Sequence, residues 1–252
     1  MASYGYIIAA LFLPVFPLSM AFNMLYARTR SVALRVLLLL AWPQAGVAVL
    51  SVSSGDIPVW VILFAIWTAL LYGVRALALR EVSIWTGFLA TSAWAVLWIP
   101  AYGGAESVQL QLYALGFSAP LVLLALLVTE LERRFGAAYT GLYGGLAHAL
   151  PRLSGVLVFV VLAITATPLF PGFATMLDVI VTALPAMPVV AAVLAGTWLL
   201  WSWAGVRLLH GLIIGPAGEA APQDLSPSAT WAYVAALGAL FAAGIYAMGG
   251  LA

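Results

Sequence analysis

The 252-residue sequence has no cysteine and no lysine, and only 7% of its residues are charged. The absence of cysteine excludes disulfides, thiolate metal sites and cysteine nucleophiles. Soluble domains carry about 25% charged residues, so a chain with so few charges and 65% hydrophobic residues cannot cover a water-facing surface. The composition therefore predicts an integral membrane protein without a soluble domain.

Residue patterns that support catalysis are also missing. There is no glycine-rich loop followed by lysine, no serine–histidine–acid set and no metal-ligand spacing, and the two histidines, His148 and His210, are isolated. The net charge of +1 and the lack of a large basic cluster give no indication of nucleic-acid binding. We expect no cofactor, no metal and no catalytic activity of the chain's own; an enzyme or redox subunit in the same complex stays open.

Apolar runs long enough to cross a bilayer follow one another along the chain. They lie at residues 6–26, 32–52, 58–79, 83–102, 108–131, 153–184, 189–214 and 228–249. No basic segment precedes the first run, so we expect it to remain as a helix and not to be cleaved as a signal. Four prolines inside these runs predict kinked helices that pack against protein: Pro14, Pro17, Pro43 and Pro120.

The sixth run is too long for one straight crossing and is interrupted by Pro168, Pro171 and Gly172. If it crosses once, the chain has eight crossings and all nine arginines lie on one face; if it crosses twice, Arg207 moves to the other side. Because cytoplasmic loops are enriched in arginine, we predict an all-α membrane protein of about eight transmembrane helices, the sixth of them discontinuous. We expect a bacterial-type inner membrane, with both termini on the non-cytoplasmic side.

Three sequence motifs follow in a distinctive order: GGLAHALPRL at residues 144–153, PLFPGF at 168–173, and IIGP with DLSP at 213–216 and 224–227. This order resembles that of the antiporter-like, proton-conducting membrane subunits. The family includes membrane-arm subunits of respiratory complex I, related hydrogenase and cation/proton antiporter subunits, and the membrane partner in energy-coupled inorganic-carbon uptake. The resemblance covers about two-thirds of the chain and implies a block of antiporter-like helices at residues 58–252, preceded by two N-terminal transmembrane helices at residues 1–57.

The chain departs from that family where ions would move. The resemblance implies that the first of two inverted helical repeats, each of which supplies half of an ion path, is missing. Positions that carry histidine or lysine in the family are Gln111, Leu115 and Ala119 here, on one helix face, and the lysine expected after the break is Met176. We therefore describe the chain as a shortened and degenerate member that lacks the complete proton-hopping chain.

Four residues are candidates for an ion or proton path. Asp178 follows the break, where a carboxylate at membrane depth is costly and usually functional. The alternative is a carboxylate near the outer surface, or one paired with another subunit. Gln111 is polar and able to face inward, Glu130 is the deeper of the two acids that end its helix, and His210 could relay protons at an inner helix end.

These observations predict an accessory subunit of a multi-subunit, ion-coupled membrane complex with a structural or coupling role. By the resemblance, its partners are a larger antiporter-like membrane subunit and a peripheral subunit on the cytoplasmic face. An inorganic-carbon (CO2/bicarbonate) uptake complex fits a shortened subunit better than a complex I-like assembly does. The alternative is an autonomous cation/proton antiporter that works as an oligomer.

Overall fold

Twelve helices make up the part of the chain that the computed structural model describes, which is residues 2–53, 56–141, 144–215 and 222–249, with side chains from residue 5 onward. In chain order they are α1 (Ala2–Phe12), α2 (Ser19–Arg28), α3 (Val32–Val52), α4 (Val59–Ala76), α5 (Val82–Val96), α6 (Trp98–Tyr102), α7 (Ser107–Phe135), α8 (Leu146–Ala149), α9 (Pro151–Ile164), α10 (Pro171–Ala183), α11 (Pro188–Ile213) and α12 (Pro227–Gly249).

The predicted all-helical membrane architecture is confirmed. Six helical segments are long and apolar enough to cross a membrane: α3, α4, α5 with α6, α7, α11 and α12. Among the described residues no strand forms, and the only extended pairing is an isolated antiparallel bridge between Glu81 and Tyr139. The chain is a multi-pass membrane protein.

The prolines behave in two different ways. Pro43 and Pro120 lie inside α3 and α7, as predicted. Pro14 and Pro17 do not lie inside a helix, because α1 ends at Phe12 and α2 begins only at Ser19, so the prediction of one kinked helix over residues 6–26 is wrong. Two closely spaced prolines each remove a backbone donor and clash with the preceding turn, which ends the helix.

Neighbouring side chains compensate for the backbone groups that this interruption exposes. The Trp98 indole donates to the Leu13 carbonyl at 2.9 Å, and the Trp42 indole donates to the Leu11 carbonyl at 3.1 Å. The Phe16 amide donates to the Thr68 hydroxyl at 2.8 Å. Unpaired backbone groups are costly in an apolar interior, so these three bonds make the interruption tolerable.

The segment α5–α6 lies at the centre of the molecule and α12 lies at its periphery. In the 18-residue apolar window within residues 82–102, 89% of the residues are buried, against 11% in the corresponding window of α12. Polar groups in this core pair with one another: the Trp94 indole donates to the Ser118 hydroxyl at 3.0 Å and the Trp201 indole to the Ser92 hydroxyl at 2.8 Å. The buried polar contacts of the centre are thus made by neutral groups.

Seven of the described helices meet at one end of the bundle. Four of them end there, α2, α4, α7 and α11, and three begin there, α3, α5 and α9. Contacts across this end include a salt bridge of 3.1 Å between Arg35 and Glu132, and a hydrogen bond of 2.8 Å from the Thr140 amide to the Arg80 carbonyl. Tyr139 donates a hydrogen bond to Glu81, which raises the pKa of the Tyr139 hydroxyl above its usual value. We call this the arginine end, because the arginine side chains are placed here.

Candidate functional site

The candidate site is built around residues 165–170, where the helical backbone is interrupted between α9 and α10. Two residues in this stretch, Ala166 with φ 53° and Leu169 with φ 81°, adopt the left-handed conformation that favours glycine. Such residues cost on the order of 1–3 kcal/mol each and persist only where the surroundings hold them. The local geometry is therefore imposed by tertiary packing, and Pro171 then starts α10 at its first turn, where a missing amide proton does no harm.

Two neighbouring helices and one residue of the interruption itself hold it in place. The Trp198 indole on α11 donates to the carbonyls of both Thr165 and Ala166, at 3.1 Å each. Thr167 turns its own hydroxyl back onto the Leu162 carbonyl at 2.9 Å. Gly244 of α12 brings its backbone directly against the carbonyl of Leu169. The interruption is thus hydrogen-bonded by α11 and covered by α12.

We predict that Trp198→Phe destabilises the protein by about 1–3 kcal/mol, because it leaves two carbonyls without their indole donor while it keeps an aromatic ring in place. The measurement is the free energy of unfolding in mild detergent. Trp231→Phe is the matched control, because Trp231 is 71% exposed and its loss should change the value by less than about 0.5 kcal/mol. Equal effects of the two substitutions would contradict the role given to Trp198.

Asp178 lies two turns after the interruption and pairs with α7. Its carboxylate accepts a short hydrogen bond from the Tyr113 hydroxyl and a longer one, of 3.5 Å, from the Gln109 amide. The Gln109 amide also donates to the Tyr113 hydroxyl at 2.5 Å. Gln109 and Tyr113 reach the same carboxylate because residues four apart share a helix face. We call these three residues the Asp178 cluster.

The Asp178 cluster is half-buried and lies near the end of the bundle opposite the arginine end. Gln109 is in the first turn of α7, and Asp178 precedes the last residue of α10, Ala183, by about 8 Å of helical rise. A carboxylate bonded to a phenol and an amide can hold a proton or help to bind a cation.

The structure does not bring the four sequence candidates together. The Gln111 side chain is exposed, and this residue contributes only its backbone carbonyl, which accepts from Gln44 at 3.0 Å. Glu130 lies about 26 Å from Tyr113 along the axis of α7. His210 is exposed at the last turn of α11, beside Arg207. Asp178 is therefore at one end, and Glu130 and His210 are at the other.

Glu130 is neutralised by its own helix. It forms salt bridges with Arg133, at 2.6 Å, and with Arg134, which also donates to the Gln223 carbonyl at 2.8 Å. The carboxylate faces a cleft of about 900 Å³ between α7 and α12. The other acid of this helix end, Glu132, makes the contact with the deeply buried Arg35 that sequence reasoning missed.

Two of the sequence motifs meet in space at the arginine end. Asp224 of the DLSP motif accepts hydrogen bonds from the backbone amides of Arg152, at 2.9 Å, and Leu153, at 3.1 Å, in the first turn of α9. A carboxylate at this position satisfies free amides and complements the helix dipole. The motif segments are therefore parts of one structural joint. Pro216 of the IIGP motif lies outside the described residues.

Four side chains make contacts that the sequence did not predict: Gln109, Tyr113, Glu132 and Trp198. The available signal was weak: Gln109 and Tyr113 are spaced four apart at the start of an apolar helix, which makes them neighbours but does not say what they face. The partner Asp178 is 65 residues away from Tyr113 in sequence.

No protein-family model matches the chain, and neither does any curated protein. Solved structures do match. A chain of respiratory complex I from Thermus thermophilus superimposes with a TM-score of 0.83 and 21% identity, over 94% of this chain and 53% of that one. A chain of the archaeal membrane-bound sulfane sulfur reductase superimposes with a TM-score of 0.78 and 17% identity, over 94% of this chain and 51% of that one. A chain of the Mrp complex from Dietzia sp. DQ12-45-1b superimposes with a TM-score of 0.72 and 19% identity, over 83% of this chain and 41% of that one.

At these identities the likeness establishes the fold. The chain has the helical arrangement of the membrane subunits found in these complexes, so the resemblance predicted from the motifs is confirmed at the level of the fold. The chain spans about half the length of the proteins that it matches.

Proposed function

We propose that the chain is an accessory membrane subunit of a multi-subunit, ion-coupled complex, in which it has a structural and coupling role. The observation that carries this proposal is the fold itself, which is shared with chains of complex I, the Mrp complex and the sulfane sulfur reductase, all of which are assemblies. The matched region is about half of each of those chains, and in transporters built from two helical repeats each repeat supplies half of the ion path. A larger antiporter-like partner would supply the rest, and a peripheral subunit would dock at the arginine end.

We also propose that the chain crosses the membrane eight times, with α1–α2 and α9–α10 each forming one discontinuous crossing. In support, α9 begins at the arginine end, where Asp224 caps it, and α10 ends near the start of α11, which returns to the arginine end. This topology puts the arginines on one side. By the positive-inside rule that side is the cytoplasm of a bacterial-type inner membrane, with both termini on the other side.

Asp178 is the residue that would take part in ion movement. The carboxylate, bonded to Tyr113 and Gln109, would form the outer half-channel of a path completed by the partner. Among the described residues no charged group lies between the Asp178 cluster and the arginine end. The polar contacts there are neutral indole and hydroxyl pairs such as Trp94–Ser118 and Trp201–Ser92. This gap argues against an autonomous antiporter, because proton transfer over such a distance needs a relay of titratable groups.

Energy-coupled inorganic-carbon uptake is the assembly that we favour, and a complex I-like assembly is the other. The preference rests on family analogy. Affinity purification of the tagged chain in mild detergent tests the accessory role. We expect a stable larger antiporter-like partner. A lone oligomer that moves protons in vesicles would overturn the accessory role in favour of the autonomous antiporter.

Asp178→Asn tests the half-channel. We expect at least a tenfold loss of ion-coupled activity in the assembled complex, because the amide cannot carry the carboxylate's charge or accept a proton. Tyr113→Phe should give a smaller loss in the same direction. The matched control is Asp56→Asn, an exposed carboxylate in the loop between α3 and α4, which should leave activity unchanged. Normal activity of Asp178→Asn in an intact complex would exclude the half-channel role.

A further inference from the structure

A second cleft, of about 750 Å³, lies at the arginine end between the end of α4, the start of α5 and the last turns of α11. Its rim carries the exposed side chains of Arg80, Arg207 and His210. No carboxylate is among the residues that line it, and neither Arg80 nor Arg207 forms a salt bridge within the described parts of the chain. The rim therefore carries positive charge with no carboxylate among its lining residues.

The face of α11 below this rim is apolar and exposed. Trp203 is 59% exposed and Val206 is 64% exposed, and they precede Arg207 and His210 on the same helix face, at positions i, i+3, i+4 and i+7. Apolar surface followed by arginine at a helix end matches the profile of a bilayer, from its hydrocarbon to its headgroups. Exposed tryptophan is typical of that boundary.

The cleft is held in a defined shape by backbone hydrogen bonds. The Thr140 amide donates to the Arg80 carbonyl at 2.8 Å, and the Gly141 amide donates to the Gly211 carbonyl at 2.9 Å. These bonds connect the loop after α7 to the ends of α4 and α11. Gly211 lies so close to Thr140 that a Cβ atom at this glycine would be 2.9 Å from the Thr140 Cβ. The two arginines are thus carried on fixed backbone.

We propose that this cleft binds one anionic phospholipid from the leaflet at the arginine end, with its phosphate between Arg80 and Arg207 and an acyl chain along Trp203 and Val206. Guanidinium groups bind phosphate oxygens through paired, charge-assisted hydrogen bonds. Basic pockets between transmembrane helices at the headgroup level recognise anionic lipids for this reason. The proposal is independent of ion movement, and it holds whether or not the Asp178 cluster conducts.

Native mass spectrometry of the full chain in mild detergent tests the lipid site. The chain is titrated with phosphatidylglycerol and, separately, with phosphatidylcholine of the same acyl chains. Each arginine near an anionic headgroup contributes about a fivefold gain in affinity, so we expect Arg80→Gln and Arg207→Gln each to weaken phosphatidylglycerol binding by about that factor, and the double variant by about twenty-five-fold. Phosphatidylcholine binding should change little.

Arg28→Gln is the matched control, because Arg28 is exposed at the end of α2 and does not line the cleft. It should keep phosphatidylglycerol affinity within about twofold of the starting protein. Equal affinity for the two lipids, or an equal loss in Arg28→Gln, would overturn the proposal and leave the arginines as a docking surface for an acidic protein. Displacement of the lipid by inorganic phosphate at millimolar concentration would also overturn it, in favour of a free-anion site.

Thermal unfolding gives a second readout that does not rely on counting bound lipid. A ligand that binds only the folded chain raises the unfolding temperature. Phosphatidylglycerol should therefore stabilise the unchanged protein and Arg28→Gln, but not the Arg80→Gln/Arg207→Gln double variant. If the double variant unfolds at the same temperature as the unchanged protein without lipid and is stabilised equally by phosphatidylglycerol, the assignment fails.

Discussion

Gly244→Ala is expected to lower the free energy of unfolding by about 3 kcal/mol, or to prevent the folded protein from accumulating. A Cβ atom at this position would lie 2.1 Å from the Leu169 carbonyl oxygen and 2.8 Å from the Phe170 carbonyl carbon. These are backbone atoms, so no side-chain rotation relieves the clash. Either α12 must move away or the interruption at residues 165–170 must change its conformation.

The position matters because α12 is otherwise loosely held. Along this helix, Leu237 and Gly244 are the buried residues, and Gly244 is where the helix closes over the interruption. A displaced α12 would expose backbone that includes Leu169, which is already in the left-handed conformation. We therefore expect the substitution also to disturb α10 and, through it, the position of Asp178.

Gly238→Ala separates this clash from the general effect of replacing a helical glycine. Gly238 is on the same helix, and nothing lies within 4 Å of the Cβ atom that the substitution would add. Alanine in a helix interior is favoured over glycine by about 1 kcal/mol, so this variant should be neutral or slightly more stable. Unfolding in mild detergent measures both. Equal stability of Gly244→Ala and Gly238→Ala would show that the close approach is not a constraint.

The Glu132→Ala substitution is the second change for which we expect a large effect, with a loss of about 3 kcal/mol. The Arg35 guanidinium donates to both oxygens of Glu132, at 3.1 and 3.3 Å, and through its Nε to the Thr29 carbonyl at 2.8 Å. The Arg35 side chain is only 8% exposed. Removal of the carboxylate leaves the buried Arg35 charge without its counterion. The resulting loss of stability is larger than the net contribution of the intact salt bridge.

This salt bridge joins the N-terminal helices to the rest of the chain, because Arg35 is in the first turn of α3 and Glu132 is in the last turns of α7. The double variant Arg35→Met/Glu132→Leu should recover most of the loss, since an ion pair with a buried partner is often replaceable by apolar residues; the Arg35 side chain is 8% exposed and that of Glu132 33%. Arg133→Ala is the control: its side chain is 69% exposed, and such pairs contribute about 0–1 kcal/mol. If Glu132→Ala is no worse than Arg133→Ala, the pair does not hold these helices together.

Much of the architecture was predictable because membrane insertion depends on local composition. Six of the predicted runs agree with membrane-spanning helical segments to within a few residues, among them residues 32–52 with α3 and 228–249 with α12. The interruption near Pro168 and Pro171 was visible because proline and glycine act on their own backbone. The same reasoning underestimated Pro14 and Pro17, where the outcome depended on whether neighbours such as Trp98 could satisfy the broken helix.

The candidate site was predicted only in part. Asp178 was recognisable as a carboxylate in an apolar stretch. The exposed position of Gln111 was not predictable, because helical periodicity shows which residues share a face but not which face packs inward. The side chains that reach the Asp178 carboxylate are Gln109 and Tyr113, which lie two residues before and two residues after Gln111. The packing of α7 against α10 determines which of these two faces of α7 contacts Asp178.

The sequence by itself determined the membrane environment, the approximate spans and the charge asymmetry of the two ends, since these depend on the number and spacing of apolar residues and arginines along the chain. The tertiary structure alone decided the pairing of Tyr113 with Asp178, of Arg35 with Glu132, and of Trp198 with the interrupted backbone. These partners are 65, 97 and about 30 residues apart. Such contacts form only when whole helices pack, and no local pattern specifies which distant side chain will satisfy a buried polar group.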